Sequence, residues 1–176
     1  MDATHLHLLV NHLPILGTFL ALPLLVLALW RRNEPWVLGA AVFLLFLGGA
    51  GAVVADESGD IAHEQVEDLA GVNRSQIREH EERAEVAVPM GVVTGLVGLG
   101  LLGWALKKRA TPPLGVGALL VLSTVSAGVM AWTGQAGGLI RHSELGTNVS
   151  ASAGAHGDKA RAAGGEVAEG AADEDD

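Results

Sequence analysis

Seven histidines are the side chains in this sequence best suited to chemistry, and there is no cysteine to share the work. His5, His7 and His12 lie near the start, His63 and His80 in a charged middle stretch, and His142 and His156 towards the end. Imidazole ligates haem iron as well as zinc, copper and iron ions. Without cysteine there is no thiolate metal site, no iron–sulfur cluster and no covalent C-x-x-C-H haem attachment. Any haem held here would be a non-covalent, b-type haem. No Ser-His-Asp arrangement is readable, so the chain reads as a redox or accessory protein rather than a hydrolytic enzyme.

Spacing sorts the histidines onto faces. At about 100° per residue, His5 and His12 share one face of a helix and His7 and Asn11 another. Pro14 removes a backbone donor and leaves the Val10 carbonyl without its usual helical partner. His80 stands above a stripe of small residues: Ala84, Ala87, Gly91, Thr94 or Gly95, and Gly98. His142 stands beyond a second one, Gln135, Ala131, Gly128 and Thr124. Such a stripe admits either a neighbouring helix, as small-x-x-x-small packing does, or a flat cofactor. The expected ligand pair is His12 and His80, with His142 as the substitute. Arg141 beside it would meet a quinone head group or a lipid phosphate, or would snorkel. A metal ion without haem would draw on the same three histidines and on His63, which shares a face with Glu67. The run Gly134-Gln135-Ala136-Gly137-Gly138 would end a helix or form a backbone nest.

Four apolar blocks must position these residues. They run over about residues 7–30, 36–55, 84–106 and 114–133. Each is long enough to cross a hydrocarbon core of about 30 Å, and in lipid such a block must be helical to satisfy its own backbone. The expected fold is all-α: a four-helix transmembrane bundle of two helical hairpins, with a short extramembrane helical segment. The first block reads as a retained span and not a cleaved signal, because no basic region precedes it.

Charge orients the bundle. Arg31 and Arg32 lie between the first two blocks, and Lys107, Lys108 and Arg109 between the last two. Short basic loops stay cytoplasmic, so both termini and all seven histidines are expected on the periplasmic or extracellular side of the inner (plasma) membrane. Trp30, Trp36 and Trp104 fall near one boundary and Trp132 near the other, as indole rings prefer. The net charge of −9 argues against nucleic acid as a partner.

Residues 1–145 form the expected transmembrane domain. In the middle loop, Ile61, Val66, Leu69 and Val72 suggest a short amphipathic helix, with a break at Gly71 and a new helix capped by Asn73 or Ser75. Residues 146–176 are Ala, Gly, Ser and acid, too polar to offset their ordering entropy, and are expected to be a disordered acidic tail. The two halves look duplicated, each a hairpin with a histidine near its start (His12, His80) and another beyond its end (His63, His142).

Three short stretches also carry a likeness: Asn11-His12-Leu13-Pro14-Ile15, His80-Glu81-Glu82, and Gly137-Gly138-Leu139-Ile140-Arg141-His142. Over roughly residues 5–145 the chain resembles the bacterial four-helix membrane proteins grouped as domain of unknown function 2231. That family opens on a His-Phe-Pro-Ile type signature, and Leu13 replaces the commoner aromatic residue. The resemblance implies a membrane protein tied to respiratory electron transfer.

Three functions are therefore in view. The first is an electron-transfer subunit holding haem b on its periplasmic side and exchanging electrons with a quinol, a periplasmic cytochrome or a larger respiratory complex. The second is a protein that handles transition metals. The third is a non-catalytic accessory subunit whose helices pack into a membrane complex. A transporter is disfavoured, because no block carries an ionisable residue near its middle.

Overall fold

The computed structural model describes residues 2–66 and 74–141, and every regular element in it is a helix. They are α1 (Ala3–Val10), α2 (Leu13–Trp30), α3 (Pro35–Val66), α4 (Arg74–Lys108) and α5 (Pro113–Arg141). The bundle occupies the compact unit Met1–Gly137. His142, His156, Glu67, Leu69, Gly71, Val72, Asn73 and the expected acidic tail lie outside the described residues.

Local chemistry sets the ends of these helices. The Asp2 carboxylate caps α1 by accepting the His5 N–H. The helix stops at Asn11, and α2 restarts with Pro14 in its first turn. A proline there cannot donate to Val10, so the apolar block is broken into two helices where a continuous one would need that bond. Pro35 and Pro113 open α3 and α5, the position where a missing N–H costs nothing. At the end of α4, Arg109 takes φ 51° and the Ala110 N–H bonds the Ala105 carbonyl at 3.1 Å. This is a Schellman-type stop with arginine in the left-handed place usually held by glycine.

Four stretches are long and apolar enough to cross a membrane: Ala3–Trp30, Pro35–Glu64, Arg74–Lys108 and Pro113–Ile140, with mean hydropathy of 2.0 to 2.4. Large apolar side chains such as Leu9, Phe43, Leu96 and Val121 face outwards. That surface suits lipid as solvent and would be untenable in water. The chain is an integral membrane protein with four candidate spans, built as the expected all-α bundle.

The interior is layered. Leu25, Val37, Leu38, Val42, Val116 and Leu119 fill the end near the two short basic turns. Towards the other end, which we call the histidine end, the core is made of small residues and Met130. Backbones approach closely there: a Cβ on Gly49 would lie 2.9 Å from the Gly91 carbonyl oxygen, and one on Gly17 2.7 Å from that of Leu44. The small-residue stripe below His80 is therefore filled by α3, together with the Met130 methyl that lies against Gly91.

Two helices outrun their apolar blocks. α3 continues past Ala55 to Val66, and α4 begins at Arg74, well before Ala84. Ser58 and Ala62 stay buried while Asp56, Glu57, Asp60 and Glu64 face out, so an amphipathic face carries α3 onward where lipid contact ends. The glycine run 134–138 neither stops α5 nor forms a nest. It remains helical, and two of its glycines serve close packing, Gly134 against Ile15 and Gly137 against His80.

A 78-residue register relates α3 to α5, and it is not the expected pairing of His12 with His80 and of His63 with His142. Every buried position of α5, from Val116 to Ala136, falls on a buried α3 position 78 residues earlier, from Leu38 to Ser58. Helical period alone could align two buried faces. It does not explain why Pro35 and Pro113, which open the two helices, are also 78 apart.

Candidate functional site

The same register recurs in how two histidines are held. His7 on α1 donates its Nδ1 hydrogen to the Ala55 carbonyl of α3 at 2.7 Å. Its ring lies over Gly59, where a Cβ would come within 3.0 Å of Nδ1. His80 on α4 donates from Nδ1 to the Thr133 carbonyl of α5 at 3.1 Å, and its ring lies over Gly137, where a Cβ would come within 3.1 Å of Cε1. Thr133 follows Ala55, and Gly137 follows Gly59, by the same 78 positions. Each hairpin thus clamps one imidazole between a carbonyl and a glycine one helical turn further on.

The clamp decides the tautomer. A carbonyl oxygen can only accept, so Nδ1 carries the hydrogen in both rings. In the neutral ring Nε2 then bears the lone pair, and neither Nε2 has a polar partner among the described residues. A second-sphere carbonyl on one nitrogen is the usual support for a histidine that ligates through the other.

Other polar contacts stiffen this end. Arg83 stacks on the Trp132 ring at 4.5 Å, donates to the Trp132 carbonyl at 2.7 Å and pairs with Glu79. The Thr133 hydroxyl lies 3.1 Å from the Val129 carbonyl and 3.3 Å from that of Arg83, so it can donate to either. His63 Nδ1 meets a Glu81 oxygen at 2.6 Å and joins α3 to α4. Asp56, Glu57 and Asp60 stand next to Ala55 and Gly59 on α3, which makes the surroundings acidic. The Asn11 Oδ1 atom is buried and accepts no hydrogen bond among the described residues.

The expected residues are distributed unevenly. His80 is in the clamp. His12 is exposed at the break between α1 and α2, and His5 is exposed beside Asp2. Of the expected pair, only His80 is held by such a clamp; the other ring held in this way is His7. His63 is committed to Glu81, Arg141 closes α5, and His142 lies outside the described residues. Among the described residues no three His, Asp or Glu side chains converge to hold a metal ion.

A signal for His7 is present in the sequence. Counting by sevens, His7 shares a column with Pro14, Ala21 and Ala28, whereas His12 shares one with Phe19 and Val26. In a membrane bundle small residues face protein and bulky apolar ones face lipid. The first column is turned inwards and the second is exposed throughout.

Comparison with protein-family models, curated proteins and solved structures found no match, so the likeness to domain of unknown function 2231 rests on the three motifs alone.

Proposed function

We propose that this membrane protein is an electron-transfer subunit that binds b-type haem at the histidine end, with His7 and His80 as the imidazoles that reach iron. The observation that carries the reading is the paired clamp: two rings from two hairpins, each fixed by an Nδ1–H···O=C bond and each left with an uncommitted Nε2. The donor set suits haem iron, which takes two neutral imidazoles, and haem supplies one-electron transfer when bound. The carbonyls of Ala55 and Thr133 hold the rings in one orientation and raise their basicity as ligands. Gly59 and Gly137 leave room for each ring against its helix. The positive-inside rule favours the periplasmic side of the inner membrane for this end, and a quinol or a periplasmic cytochrome would then be the electron partner.

A visible spectrum of protein purified from haem-replete cells tests this. A reducible Soret band is expected, lost or much reduced in His7→Ala and His80→Ala and retained in His12→Ala. Absence of the band in the unaltered protein removes the proposal. A non-catalytic accessory role is the second reading, favoured by one observation. A Cβ added at Gly117 or Gly128 on α5 would meet no atom within 4 Å, and Thr124 between them is exposed, so a helix of a larger complex has room to pack there. In that case the histidines are only staples between helices, and their replacement leaves the spectrum and the complex unchanged.

A further inference from the structure

The opposite end of the bundle carries a second, unrelated feature. A recess of about 630 Å³ lies between the two short turns, bounded by Arg32, Asn33 and Pro35 on one side and by Ala105, Arg109 and Thr111 on the other. Its two arginines stand apart from the ion pair made by Arg31. Arg31 is neutralised by Glu34 at 2.9 Å, but among the described residues no carboxylate pairs with Arg32 or Arg109. The Arg32 Nε–H is tied to the Leu29 carbonyl at 3.1 Å, which fixes the guanidinium and leaves its terminal nitrogens available. Arg109 holds the left-handed position at the end of α4. Glycine fits that position without steric cost, so an arginine there breaks a local rule, as residues at functional sites do.

We infer that this recess binds the phosphate of an anionic phospholipid, with Arg32 and Arg109 as its two guanidinium donors. Arginine pairs with phosphate through parallel N–H···O bonds that lysine cannot make. A lipid, and not free phosphate, is the occupant because the recess adjoins the surface for acyl chains: Leu106 lines it, and Trp36 and Trp104 are exposed close by in the chain. Basic pockets between transmembrane helices recognise anionic head groups in this way. The bound lipid bridges the turn of one hairpin to the turn of the other.

The test uses the full chain in mild detergent, mixed with phosphatidylglycerol or phosphatidylcholine and read by native mass spectrometry. The unaltered protein is expected to retain phosphatidylglycerol in preference to phosphatidylcholine. The double variant Arg32→Gln/Arg109→Gln should lower that retention about tenfold or more, while Lys107→Gln/Lys108→Gln should not. Arg109→Gly guards against a folding defect, since it relieves the left-handed backbone while removing the charge. It should lose lipid and gain thermal stability together. Equal retention of the two lipids, undiminished retention in the arginine variants, or full displacement by millimolar inorganic phosphate would each overturn the assignment.

Discussion

The imidazole of His80 rests on Gly137 so closely that a single methyl group there would sit 3.1 Å from its Cε1 atom. His7 bears the same relation to Gly59, at 3.0 Å from Nδ1. Gly137→Ala should therefore push the His80 ring away from the Thr133 carbonyl, and Gly59→Ala should push His7 away from Ala55. Overpacking of this kind costs about 1–3 kcal/mol. Each variant is expected to lower bound haem while leaving the protein helical, read as Soret absorbance per protein against far-ultraviolet circular dichroism. Unchanged absorbance in both would show that the glycines do not seat the rings.

Much of this arrangement is legible in the chain itself, and the parts that are not have physical reasons. The blocks, their number and the pairing into hairpins follow from hydropathy, because a chain crossing lipid needs apolar helical stretches of spanning length. Hydropathy reports lipid contact and not helicity, so it does not show α3 running on through Asp56 and Glu57 to Val66. Glycine is ambiguous in the same way. The run 134–138 looks like a break, yet in a bundle glycine also marks a close approach, which is what Ile15 and His80 make of it. The choice of His7 over His12 depends on which column faces protein. The small residues of α4 turn His80 inwards, and Ala21 and Ala28 of α2 carry the same message for His7, but the break at Pro14 hides the continuity of that column. The hydrogen bonds to the Ala55 and Thr133 carbonyls are illegible, since no side chain announces them.

Pro14 should matter through geometry rather than contact. Its ring interrupts the hydrogen bonding that would join α1 to α2, and the short α1 is thereby free to carry His7 to Ala55. Pro14→Ala restores the missing donor and favours one continuous helix by up to about 3 kcal/mol. Straightening the joint at Asn11 and His12 would keep His7 on the inward face but change the tilt at which it meets its carbonyl. The expected result is slower amide exchange around residues 10–14 together with loss of haem comparable to that in His7→Ala. Slower exchange with full haem content would show that the break does not aim the ring.

Two glycines separate internal packing from an external partner. Gly49→Val places its Cβ 2.9 Å from the Gly91 carbonyl oxygen, where backbone cannot yield, so α3 and α4 must part. A loss of at least about 1–3 kcal/mol is expected, seen as a lower midpoint of thermal unfolding in detergent. A Cβ at Gly128 meets no atom within 4 Å, so Gly128→Leu should leave that midpoint unchanged. If α5 docks on a larger complex, the same Gly128→Leu change should abolish co-purification of the partner. An unfolding midpoint that drops in Gly128→Leu would mean that this face is packed within the chain itself.

The absence of cysteine makes orientation directly measurable. A single cysteine introduced at Asn33 or Thr111 reports the basic turns, and one at Thr4 reports the histidine end. The Arg31, Arg32, Lys107, Lys108 and Arg109 charges should hold those turns in the cytoplasm. In intact cells a membrane-impermeant thiol reagent is then expected to label Thr4→Cys and to spare Asn33→Cys and Thr111→Cys, all three reacting once the membrane is opened. Replacing Lys107, Lys108 and Arg109 with glutamine weakens only one of the two basic turns, so a mixed labelling pattern should follow. The reverse pattern in the unaltered background would place His7 and His80 on the cytoplasmic face. It would exclude a periplasmic electron partner without touching the geometry of the clamp.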